Sequence, residues 1–119
     1  NQPITEELAK RVLLHLDTPK KKDGVMLESV LKIVSKHFSV SANDIRSKKR
    51  NKNISTVRQI VFYLMKKNSF SSLQTIGNFV GGRDHSTVVH AIAKIESLIE
   101  QDPSLMRKIK IIEQEVVSS

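Results

Sequence analysis

The chain has 119 residues, with 20 lysines and arginines against 12 acids, for a formal net charge of +8. That length suits one compact domain with at most a short extra piece, and 39% hydrophobic residues rule out wholesale disorder. The absence of cysteine excludes disulfides, thiolate metal sites and cysteine nucleophiles, and suits a reducing cytoplasm. With 4% aromatic residues and no tryptophan, the core must be built from leucine, isoleucine and valine. No apolar run approaches the roughly 20 residues needed to span a bilayer. No basic stretch precedes the first apolar segment, so no secretory signal is expected.

Ile4–Leu16 reads as a helix, with Thr5 as N-cap, a Glu-Glu first turn, and Leu8, Val12 and Leu16 on one face. Asp17–Gly24 contains Pro, Gly and alternating charges but no apolar residue, so a linker and a boundary are expected there. Met26–Phe38 follows as an amphipathic helix on Leu27, Val30, Leu31, Val34 and Phe38. Ser41 caps a short turn through Ile45, and Arg46–Asn53 reads as a polar, solvent-facing basic loop.

Ser55 or Thr56 is the expected cap of the next helix, striped by Val57, Ile60, Val61, Leu64 and Met65 and ending at Asn68-Ser69. Ser71 or Ser72 caps a short helix through Phe79, with Leu73 and Ile76 facing inward. After Gly81-Gly82-Arg83, Asp84 caps a longer helix whose inner face is Val88, Ala91, Ile92, Ile95, Leu98 and Ile99. Asp102-Pro103 then starts a closing helix through Val117. No segment has strand period, so the architecture is all-α.

Two helices joined by a glycine-containing turn follow the helix-turn-helix plan. On that plan the second helix puts its first residues into the major groove. Here these are Arg83, Asp84, His85, Ser86 and Thr87, followed directly by the apolar pair Val88-Val89. Arginine can contact guanine in bidentate fashion, aspartate can accept from cytosine, and the threonine methyl can pack on thymine. A structural αα-hairpin remains open, with Asp84 only a cap. His85 has no partner at metal-ligand spacing, and His90, five residues on, reads as a packing or surface residue.

Charge distribution favours the DNA reading. From Ile45 to Lys94 there are ten lysines and arginines, and Asp84 is the only acid. Such a field calls for a polyanion, either nucleic acid or an anionic membrane surface. Arg50 is the candidate for a minor-groove arm, and Lys48, Lys49 and Lys52 for phosphate contacts. Lys66 could hold phosphate or, with Lys67, merely complement a helix dipole. No acid pair, nucleophile–base set or G-x-x-x-x-G-K-[ST] loop is present, so no enzyme is expected.

Val80-Gly81-Gly82-Arg83-Asp84-His85-Ser86-Thr87-Val88-Val89-His90-Ala91, with Ser47-Lys48-Lys49-Arg50, Arg58-Gln59 and Leu73-Gln74-Thr75-Ile76-Gly77, resembles the bacterial chromosomal replication initiator family, DnaA. The resemblance runs from about Met26 onward. It implies a C-terminal, Trp-repressor-like helix-turn-helix domain that binds short nonamer boxes in double-stranded DNA at replication origins. It implies Arg50 in the minor groove, and Asp84, His85, Ser86 and Thr87 against bases, with Leu73 and Gln74 nearby. Arg58, Lys66, Ser72, Arg83 and Lys94 would hold phosphates or support register.

Where the family usually has Phe, Thr and Leu, this chain has Val80, Ser86 and Val89, and Gln74 stands where many relatives have proline. Ser86 lacks a methyl to pack on thymine. The family's ATPase lies in a preceding domain, so no cofactor is expected for residues 25–119. Residues 1–24 would then be the last helix of that domain's lid plus a hinge, making the chain a piece of a longer protein. Anionic phospholipids and replication regulatory proteins are implied as further partners. A helix-turn-helix transcriptional regulator is the rival reading, with a membrane-surface module as a third.

Overall fold

The computed structural model describes residues 19–118. Among the described residues six helices follow one another: α1 Pro19–Phe38, α2 Ala42–Arg46, α3 Lys52–Asn68, α4 Leu73–Phe79, α5 His85–Gln101 and α6 Pro103–Ser118. No strand occurs among the described residues, as the all-α reading required. The expected helix Ile4–Leu16 lies outside them.

Four helix starts are set by the side chains that the sequence offers. Ser41 Oγ accepts from the Asp44 N–H, Ser72 Oγ from Thr75, and the Asp84 carboxylate from Thr87. Asp102 Oδ1 accepts from Ser104 and Leu105 just before the proline-initiated α6. Each bond satisfies a backbone donor that the first helical turn leaves without an intrahelical partner.

Two starts differ from expectation. Helix α3 begins at Lys52 behind Asn51, which makes no side-chain cap bond, so Ser55 and Thr56 lie inside the helix. Its first two residues, Lys52 and Asn53, are polar and exposed, so the apolar period read from Val57 did not reach back to them; the loop is therefore shorter, residues 47–51. Helix α1 begins at Pro19, so residues 19–24 are helical where a linker was expected. Proline is well suited to a first helical position, and one internal glycine costs a helix only about 1 kcal/mol.

Helix α3 is the hub. Val57, Ile60, Val61, Phe62, Leu64 and Met65 are all buried, an apolar arc too broad for one neighbour. It packs against all five other helices. Helix α1 brings Leu27, Val30, Leu31 and Val34 to one side, α5 brings Val88, Ala91 and Ile95 to another, and α6 closes the back with Ile109, Ile112 and Val116. Polar contacts latch that back: Glu113 accepts from Lys67 at 3.3 Å and Asn68 at 3.2 Å, and His37 of α1 meets Glu115. The opposite side presents α2, the loop, α4 and the start of α5.

Candidate nucleic-acid interface

Helices α4 and α5 are joined by residues 80–84, and this turn needs glycine. Gly81 and Gly82 have φ of 79° and 72°, values that L side chains rarely adopt. A side chain at Gly81 would also collide with the Arg46 carbonyl, and one at Gly77 with the Arg83 carbonyl. The Arg83 N–H donates to Gly77 O at 2.8 Å, closing the turn tightly on α4. The turn thus lies directly against the backbone at the end of α2.

Three arginines then tie that contact together. Arg58 Nε donates to Ile45 O at 2.6 Å, and its Nη2 to Asp44 O at 3.1 Å and Ser47 O at 2.9 Å. Arg83 donates from Nη2 to Ser47 O at 2.5 Å and from Nη1 to Val80 O at 2.8 Å and Arg46 O at 3.4 Å. Arg46 donates to Phe79 O at 3.0 Å, its guanidinium 4.7 Å from the centre of the Phe79 ring. The acceptors are backbone carbonyls at the C-terminal ends of α2 and α4, where a helix runs out of intrahelical donors.

Arg58 is only 8% exposed. Burial lowers its pKa, and the neighbouring Arg83 lowers it further; burial lowers that of Arg83 too. Guanidinium stays charged through such shifts. The structure therefore places Arg58 and Arg83 at the base of the loop, bonded to protein carbonyls.

The loop tip is different. Lys48, Arg50 and Lys52 are exposed and make no hydrogen bond or ion pair among the described residues. Lys49 pairs with Asp44 at 3.0 Å. Lys48 and Arg50 line a hollow with Arg58, Arg83, both glycines and Thr87. A second hollow beside it is lined by Ser55, Gln59, Thr87, His90 and Lys94. The Gln59 Oε1 there is buried without a donor among the described residues; nothing in the sequence could have signalled it.

Asp84, His85, Ser86 and Thr87 are all exposed at the start of α5. Asp84 acts as N-cap, and its pKa is lowered by its bonds to Thr87, backbone and then side chain, with His85 adding a smaller contribution. Lys94 is exposed two turns on, along the side of α5 that carries Thr87 and His90. On α4, Ser72 and Gln74 are exposed, whereas Leu73 is half-buried and packs against the core. Lys66 is exposed and reaches Ser71 O at 3.3 Å. The division between reading tip and core is less clean than the sequence suggested: Val88 is fully buried, but Val89 is 39% exposed.

A short helix, a turn with two left-handed glycines, and a longer helix with an exposed polar start define a helix-turn-helix domain. The family model for the helix-turn-helix of the bacterial dnaA protein matches residues 27–95, and the chain belongs to that family. It is similar to the chromosomal replication initiator protein DnaA of Rhodopseudomonas palustris strain BisB18, 35% identical over 97% of this chain and 24% of the relative. The same protein of Nitrobacter hamburgensis matches to the same extent, and that of Bradyrhizobium sp. strain BTAi1 is 34% identical over 98% of this chain. The chain spans about a quarter of the length of these relatives. The family matched is a helix-turn-helix rather than a catalytic domain.

Proposed function

We propose that this chain is a sequence-specific double-stranded DNA-binding domain that seats a replication initiator on short boxes at the origin. The observation that carries this reading is the hollow shared by Lys48, Arg50 and Thr87, where unpaired cations lie beside the polar start of α5. His85, Ser86 and Thr87 enter the major groove and read base edges, while Asp84 holds the helix end that carries them. Arg50 enters the neighbouring minor groove, where narrow A·T tracts concentrate negative potential. Lys48, Lys52, Lys66 and Lys94 neutralise phosphates and fix the orientation of α5 without carrying sequence information. Ser72 and Gln74, exposed at the start of α4, lie alongside the backbone and adjacent bases.

A fluorescence-anisotropy titration against a nonamer-box duplex and a scrambled duplex tests the reading. The box should bind tighter by about a thousandfold. Equal affinity for both would leave only a non-specific polyanion binder and overturn it. Vesicles with and without anionic lipid, titrated in parallel, separate the membrane-surface alternative.

A further inference from the structure

The two hollows beside the start of α5 share three lining residues, Arg58, Arg83 and Thr87. They therefore form one trough, with Lys48 and Arg50 at one end and His90 and Lys94 at the other. The first hollow measures about 440 Å³ and the second about 340 Å³, and no acid lines either. Lys48, Arg50 and Lys94 are exposed and have no partner among the described residues. Arg58 is buried where the hollows meet. Its Nε and Nη2 are engaged with carbonyls, but its Nη1 donates to none of the described residues. Carbonyl bonds leave a positive charge uncancelled, so this guanidinium lines the trough without a counter-ion.

We propose that the trough binds a free linear polyphosphate, and that the bound chain competes with DNA for the same cations. The proposal rests on the DNA-binding reading above and adds a regulator to that site. A single phosphate or sulfate meets the cations at one end only. A chain with a charge on every unit reaches Lys48 and Arg50, the Arg58 Nη1 and Lys94 together, and each contact is a charge-assisted hydrogen bond. Gly81 and Gly82, which line the same hollow, have no side chain to keep an anion from the backbone. A duplex is held differently, because its phosphates lie on rigid rails and its bases must also meet the tip of α5. A polyphosphate needs no base and no box, so it unloads the domain from every DNA sequence alike.

Isothermal titration at a constant ionic strength of about 0.15 M compares orthophosphate, pyrophosphate and tripolyphosphate. Affinity should rise about tenfold for each added phosphate that finds a cation, and tripolyphosphate should saturate a single site per chain. Lys48→Ala and Lys94→Ala, at opposite ends of the trough, should each weaken tripolyphosphate about three- to tenfold, whereas Lys110→Ala on α6 should leave it unchanged. ATP titrated beside tripolyphosphate separates the two sources of this chemistry, the tighter ligand showing whether a nucleotide or an inorganic chain is recognised. Tripolyphosphate should also raise the apparent Kd of box and scrambled duplexes by the same factor. Equal losses in all three variants, or no gain in affinity with chain length, would reduce the effect to ionic screening and overturn the proposal. So would a tripolyphosphate that the box duplex fails to displace. Equal affinity for box and scrambled duplex strikes the origin-box reading instead and leaves the polyphosphate site standing.

Discussion

The base and the tip of the basic loop lie side by side and carry the same kind of charge, yet they do different work. At the base, Arg58 and Arg83 both donate to Ser47 O, and each is further bonded to carbonyls of α2 or the turn. At the tip, Lys48, Arg50 and Lys52 are exposed with no partner among the described residues. A guanidinium buried against carbonyls gives shape; a cation left in water is available to a phosphate. Counting positive residues cannot separate the two, and burial with hydrogen bonding can.

The sharpest way to break this contrast is at Gly81. Gly81→Ala combines a left-handed φ with a clash against the Arg46 carbonyl, and should cost about 3 kcal/mol or more in urea unfolding. A near-native midpoint would mean the base is not tightly packed. Arg58→Met removes three donated hydrogen bonds, to Ile45 O, Asp44 O and Ser47 O; Asp44 O and Ser47 O keep bonds from Ser47 and Arg83, while Ile45 O loses its donor, and about 2–4 kcal/mol of stability should go with the change. Calorimetry should record a drop in Tm on the order of 10 °C.

Arg50→Ala should do the reverse. Its unfolding should stay within about 0.5 kcal/mol of the native chain, while affinity for the box falls about tenfold with reduced preference at A·T positions. Loss of stability in this variant would erase the distinction between tip and base. Smaller still is the effect of Lys48→Ala. If about six phosphates are neutralised, log K falls with log salt at a slope near −5, and removing one contact should make it shallower by about 0.9.

Asp84 gives the mildest test. Its folded pKa lies below the ordinary carboxylate value, so its contribution is present above about pH 4 and is lost as pH falls through the lower folded value. Asp84→Asn keeps a capping oxygen but not the charge. Melting curves from pH 6 to pH 3 should therefore show the native chain losing more stability than this variant.

Much of this architecture was legible in the sequence because its signals are local. Ser41, Ser72, Asp84 and Asp102 are short acceptor side chains placed just ahead of apolar periods, and all four cap helices. The start of α3 was missed because Lys52 and Asn53 are polar and Asn51 makes no cap bond, so the serine and threonine before Val57 looked like the cap. Roles that depend on distant partners were not legible. Arg58 finds the end of α2 from 11 to 14 residues away, and Arg83 finds Ser47 from 36. The exposure of Val89 was obscured by Val88, because two adjacent valines look alike until the helix is rotated onto its core.

The knot at the loop base contains guanidinium-to-carbonyl bonds and no carboxylate partner for Arg58 or Arg83 among the described residues. Mobile ions screen exposed charges far more than buried hydrogen bonds. Raising ionic strength should therefore strip a bound polyanion from the exposed lysines while the scaffold beneath keeps its geometry. Letting go of the ligand and losing the fold are thus separated, and a domain released by brine is ready to rebind as soon as the medium is diluted.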